Sequence, residues 1–136
     1  MATLEAREKA MTALDEKRQM QSDFQTQLAA AIPELQIVGQ DAPRLWNTIS
    51  VIMPEVDCRQ RWVVKMDRFG FAVSTGSACS SGLEAPSHVL QAMGYSSEEC
   101  SRALRFSAGW ETTAHDWATL LQGLLKARQA FMSAQA

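Results

Sequence analysis

The sequence predicts an α+β two-layer sandwich: a small mixed or antiparallel sheet with helices packed on one face and a long helix at the N-terminus. Three observations lead to it. Residues 4–31 are dominated by Ala, Glu, Lys, Gln, Met and Leu, all strong helix formers. Two short segments, Thr48–Met53 and Ala103–Ser107, alternate apolar and polar side chains with the period of a strand. Between and after them lie helical patterns, so that helices and strands alternate along one chain.

The first helix carries Leu4, Met11, Leu14, Phe24 and Leu28 near one face, with Lys17, Arg18 and Gln21 interrupting the stripe. Pro33 biases Ile32 out of the helical region and ends it. A long helix with so thin a stripe packs against something larger than itself, which points to a missing partner surface. A turn with Gly39, Asp41 and Pro43 follows. In the first strand Ile49, Val51 and Met53 share a face, and Pro54 closes it. Cys58, Trp62, Met66 and Phe69 recur at helical steps from Asp57 to Arg68, with Gly70 as the stop signal. Phe71–Ser74 reads as a short strand. Pro86 and Ser87 open a short helix through Ala92, stopped at Gly94, and Ser96-Ser97-Glu98-Glu99 opens another. In Ala103–Ser107, Leu104 and Phe106 point one way, Arg105 and Ser107 the other. Thr113 and Asp116 form a box that starts the last helix. Its core stripe is Trp117, Leu120, Leu121, Leu124 and Leu125. Lys126 and Arg128 are expected at its C-terminal end.

The 136 residues form one domain, 1–33 being the long helix and 34–136 the α+β body. Hydrophobic residues make up 46% and charged residues 21%, enough for a packed core without a staple. The net charge of −2 gives no electrostatic footprint for nucleic acid or an anionic membrane. No apolar run approaches the length of a membrane span, and the charged N-terminus lacks a signal core, so the expected location is the cytoplasm. Three widely spaced cysteines and two histidines do not make a zinc pattern, and no metal is expected.

Cys79 is the first candidate site residue. It stands in Ser74-Thr75-Gly76-Ser77-Ala78-Cys79-Ser80-Ser81-Gly82, among small residues that bury little, whereas a core cysteine stands among Val, Leu and Ile. Cys58 and Cys100 lie in helical contexts and read as structural. Arg105 is the second candidate. Apolar neighbours anchor its strand, and its guanidinium fork fits a carboxylate. Surface decoration is the competing explanation for an arginine so placed. His88 as a base for Cys79 is a weaker idea, because no third orienting residue is evident and a helix-surface histidine explains it. The Ser74-Thr75-Gly76-Ser77 run lacks the pattern of a phosphate loop.

Ser74-Thr75-Gly76-Ser77-Ala78-Cys79, followed by Pro86-Ser87-His88-Val89-Leu90 and then Met93-Gly94, resembles the active-site segment of the cysteine desulfurases, class V aminotransferase-like enzymes. Leu104-Arg105-Phe106-Ser107-Ala108-Gly109 is similar to their arginine-bearing strand, and Asn47-Thr48-Ile49-Ser50-Val51 to the strand that opens their small domain. The length of the cysteine segment resembles the subgroup that serves iron–sulfur cluster assembly. The resemblance implies the C-terminal small domain of a fold-type I pyridoxal-phosphate enzyme, with the first helix as its interdomain helix. It implies that Cys79 takes sulfur from L-cysteine as a persulfide and that Arg105 binds the substrate carboxylate. It further implies pyridoxal phosphate as cofactor, a sulfur acceptor or iron–sulfur scaffold protein as partner, and dimers. Lys9, Lys17, Lys65 and Lys126 are the chain's lysines, and none has the Ser-x-His-Lys setting of the family's Schiff-base residue. No covalent cofactor is therefore expected on this chain alone, and a pyridoxal-binding large domain or companion chain is the expected partner. The alternatives are a non-catalytic sulfur carrier or interaction module and a relative acting on selenocysteine.

Overall fold

The computed structural model describes residues 2–56, 61–75 and 86–133. Helix α1 spans Ala2–Ala31 and leads through the two-residue strand β1 (Gln36–Ile37) to β2 (Thr48–Ile52). Helices α2 (Trp62–Arg68), α3 (His88–Ala92) and α4 (Ser97–Ser101) precede β3 (Ala103–Ser107), and α5 (Ala114–Ser133) closes the fold. The sheet is antiparallel in the order β1-β2-β3. The expected α+β sandwich is therefore present, with β1 as an addition where only a turn was expected.

Register decides which side chains meet. Ile49 pairs with Phe106 and Val51 with Leu104, while Ser50 pairs with Arg105 and Thr48 with Ser107. The first set turns to the core, where Phe24 and Leu28 of α1 and Trp117, Leu121 and Leu124 of α5 cover it. The Phe24 ring lies 4.7 Å from the Trp117 ring and 6.2 Å, edge-on, from Phe106. One aromatic thus joins both long helices to the sheet. On the opposite face, Ile52 and Ala103 are capped by Leu90 of α3 and Cys100 of α4. Among the described residues, Thr48, Ser50, Arg105 and Ser107, further along that face, are not part of this cluster.

Local chemistry sets the helix ends. Ser96 and Glu99 form a full capping box at α4, and the hydrogen bonds from Ser96 hold the Glu99 carboxyl below its usual range. Thr113 and Asp116 do the same at α5, with the Thr113 N–H and hydroxyl lowering Asp116. Ser87 caps α3. Gly70 (φ +83°) and Gly94 (φ +94°) take the left-handed conformation that ends α2 and α3.

Several expectations are corrected. Leu4 and Met11 do not continue the buried stripe of Phe24 and Leu28; they are 65% and 53% exposed. The reason is length: α1 is about 45 Å long against about 30 Å for α5, so its N-terminal half outruns the body. Gln21 does not interrupt the packed face. It is buried, and its amide donates to the carbonyls of Leu45 and Thr48. Lys126 and Arg128 do not end α5, which runs on to Ser133; Arg128 instead pairs with Glu34 at 2.6 Å.

Phe71–Ser74 is not a strand. Only Ser74 bridges to Arg105. The Phe71 ring packs on α5 at Gly123, and its N–H bonds the Met66 carbonyl rather than a strand partner. A Cβ on Gly123 would meet ring carbons of Phe71 at 2.2, 2.6 and 2.9 Å. Gly123→Ala is therefore expected to destabilise the fold by about 1–3 kcal/mol in chemical denaturation. Phe71→Leu in the same chain recovers part of that loss if the clash is the cause. An unchanged midpoint for Gly123→Ala contradicts the packing.

Candidate functional site

Arg105 sits at the centre of β3, half-buried, on the sheet face that the long helices leave open. Its own backbone is engaged outward: its N–H donates to the Ser74 carbonyl at 2.8 Å and its carbonyl accepts from the Ser74 N–H at 3.2 Å. Ser50 and Arg105 are consequently a non-hydrogen-bonded pair of the β2–β3 ladder, the kind in which facing side chains stand closest.

The open face forms the floor of a concavity of about 530 Å³. Thr48, Ser50 and Arg105 line its floor, Val89, Leu90 and Met93 of the α3 region one wall, and Val38, Ala42, Pro43 and Leu45 the other. Among the described residues Arg105 and Arg44 are its only charged lining residues. The rest of the described lining is mainly apolar, and low-dielectric walls of this kind strengthen the pull of a guanidinium on an anion. Arg105 points opposite to Leu104 and Phe106, the direction that the alternation predicts, and Arg44 and Ser50 line the same concavity. Arg44 escaped sequence reasoning because it stands in an irregular stretch between Pro43 and Leu45, where no periodicity assigns a direction.

Cys79 lies outside the described residues, as do Gly76, Ser77 and Cys58. The described chain reaches Thr75 on one side and resumes at Pro86 on the other. Ser74 is bonded to Arg105, and Ser87 lines the concavity. Cys79 is five residues from the first and eight from the second. His88 is exposed on α3 and does not line the concavity, although its neighbours Ser87 and Val89 do. Cys100 is buried, and burial raises its thiol above the usual range, as suits a structural cysteine. Among the described residues no three His, Cys, Asp or Glu side chains converge as metal ligands, and no helix is long and apolar enough to cross a membrane.

The positions of the lysines test whether these residues suit an aldehyde cofactor held as a Schiff base. Lys17 donates to the Thr112 carbonyl at 2.5 Å, and Lys65 stands 5.4 Å over the Phe131 ring. Lys9 and Lys126 are exposed on α1 and α5. All four lysines of the sequence are among the described residues, and none lines the concavity. The residues present do not fit the covalent anchoring of pyridoxal phosphate.

No protein-family model matches the chain. Among curated proteins it is 37% identical over 91 residues to a cysteine desulfurase of Rhodobacter capsulatus, an alignment covering 67% of this chain and 23% of that protein. It is 36% identical over 97 residues to the cysteine desulfurase of Cereibacter sphaeroides, covering 71% and 25%. The chain spans about a quarter of the length of the curated relatives it matches. Among solved structures, a NifS-like protein from Rickettsia africae superposes with a TM-score of 0.70 at 23% identity, over 85% of this chain and 29% of that one. A second NifS-like protein superposes with a TM-score of 0.59 at 20% identity. These two likenesses establish the fold.

Proposed function

We infer that this chain, which belongs to the cysteine desulfurase family over a segment about a quarter of its members' length, supplies two groups to sulfur transfer from L-cysteine. Arg105 holds the substrate carboxylate and Cys79 receives the sulfur. The observation that carries this reading is Arg105 on the floor of a concavity in whose lining no acid stands among the described residues, bonded through its backbone to Ser74, five residues before Cys79.

The chemistry balances without an external oxidant. The Cys79 thiolate attacks the sulfur of L-cysteine, an S–S bond forms and the C–S bond breaks. The electron pair stays on carbon and takes up a proton, leaving alanine and a Cys79 persulfide. The pyridoxal phosphate used by the family supplies the electron sink for that carbon, and its aldehyde anchor lies on residues other than these. The outer sulfur then passes to an acceptor thiol, in this reading that of an iron–sulfur scaffold protein in the cytoplasm. Arg105 contributes orientation: a bidentate guanidinium–carboxylate pair fixes the amino acid relative to a rigid strand.

The test supplies the lysine-bearing body of a cysteine desulfurase as a second polypeptide. Arg105→Ala is expected to raise KM for L-cysteine by roughly 30- to 100-fold, the worth of a charge-assisted pair, with a smaller change in kcat. Arg105→Lys recovers little, because an ammonium lacks the fork. An unchanged KM overturns the assignment. The lysine-free concavity also favours a second reading, a carrier that accepts sulfur on Cys79 from a separate persulfide donor; in that case loading proceeds without pyridoxal phosphate and ignores Arg105→Ala.

A further inference from the structure

We propose that Arg44 is a positioning residue for the carboxylate site of Arg105, an inference that rests on the reading of Arg105 given above. Three facts lead to it. First, β1 is only two residues long, so the ladder beside β2 ends at the bond from the Val38 N–H to the Ser50 carbonyl, at 2.9 Å. Past that bond the chain turns at Gly39 (φ +64°) and runs without strand partners to Leu45, forming the wall of the concavity that includes Val38, Ala42 and Pro43.

Second, the Arg44 guanidinium clamps this wall. One terminal nitrogen donates to the Val38 carbonyl at 3.1 Å and the other reaches Gln25 Oε1 on α1 at 3.4 Å. Val38 is therefore held from both sides, by Arg44 through its carbonyl and by Ser50 through its N–H. Third, Ser50 is the close cross-strand neighbour of Arg105. A continuous row runs across the sheet from Arg44 through Val38 and Ser50 to Arg105.

The planar fork makes this clamp possible, since it engages a backbone carbonyl and a helix side chain at once, which a point charge does not. Arg44 also lines the concavity, where its charge adds to the field that draws a carboxylate in. Arg44 thus fixes the distance between the apolar wall and the Arg105 guanidinium, and with it the fit of a small amino acid.

The experiment follows L-cysteine and its carboxylate-free analogue cysteamine by NMR titration of the full chain, reading the arginine side-chain and Ser50 backbone signals. Wild type is expected to bind L-cysteine saturably. Arg44→Gln weakens L-cysteine by roughly tenfold, the effect of one lost charge-assisted contact, leaves cysteamine unchanged and shifts the Val38 and Ser50 signals before ligand is added. Arg44→Lys restores only part of the affinity. Equal L-cysteine affinity in wild type and Arg44→Gln overturns the proposal, as does an equal loss for cysteamine, which marks a general loosening. Arg105→Ala separates the two readings: if it binds L-cysteine as wild type does, the carboxylate site itself is wrong. If it loses binding while Arg44→Gln does not, only the positioning role is wrong.

Discussion

Replacing Cys79 with serine is expected to abolish formation of the persulfide, a loss on the order of 10³-fold or more in sulfur transfer, while the melting temperature stays at the parent value. The size of the effect follows from the chemistry. A thiolate is available near neutral pH and forms a stable bond to a second sulfur, whereas an alcohol is neither ionised nor able to carry sulfur forward. The small expected effect on stability follows from the sequence, where the neighbours of Cys79 are Ser, Ala and Gly rather than the large apolar residues of a core. Alanine formation at the parent rate in Cys79→Ser, with sulfur released free, removes Cys79 from the reaction.

The largest stability effect is expected at Phe24. Its ring is 2% exposed and touches Trp117 and Phe106, so it joins α1, α5 and the sheet at one point. Phe24→Ala removes the ring and leaves a cavity that rigid neighbours on three elements cannot close, at a cost of about 3–5 kcal/mol. Domains of this size hold roughly 5–15 kcal/mol in all, so the variant stands near its unfolding threshold. Leu4→Ala, on the same helix but 65% exposed, is expected within about 0.5 kcal/mol of the parent. Equal denaturation midpoints for the two variants contradict the view that only the C-terminal half of α1 belongs to the core.

Much of this was legible in the sequence because the signals were local. Ser96 with Glu99 and Thr113 with Asp116 announce helix starts through side chain-to-backbone bonds that span three residues. The alternation of Leu104, Arg105 and Phe106 places the arginine on the face away from the core. What escaped was decided by contacts distant in sequence. Phe71 is claimed instead by Gly123, 52 residues further on, against which its ring packs, and only Ser74 of that segment pairs with β3. Gln21 breaks an apolar stripe, yet it belongs inside because two carbonyls at Leu45 and Thr48 need a donor there. Arg44 carries no periodic signal at all, and its place beside the site emerges only when the 38–45 segment folds back over β2.

In the proposed reaction sulfur leaves L-cysteine and arrives on Cys79. The most direct measurement combines the chain with the lysine-bearing body of a cysteine desulfurase, pyridoxal phosphate and L-cysteine. Alanine is counted, and alkylated peptides are mapped by mass for an added sulfur atom. One persulfide on the Cys79 peptide is expected for each alanine in the first turnover, with Cys58 and Cys100 unchanged. Alanine appearing while Cys79 remains a plain thiol, or the added sulfur on Cys58 or Cys100 instead, contradicts it.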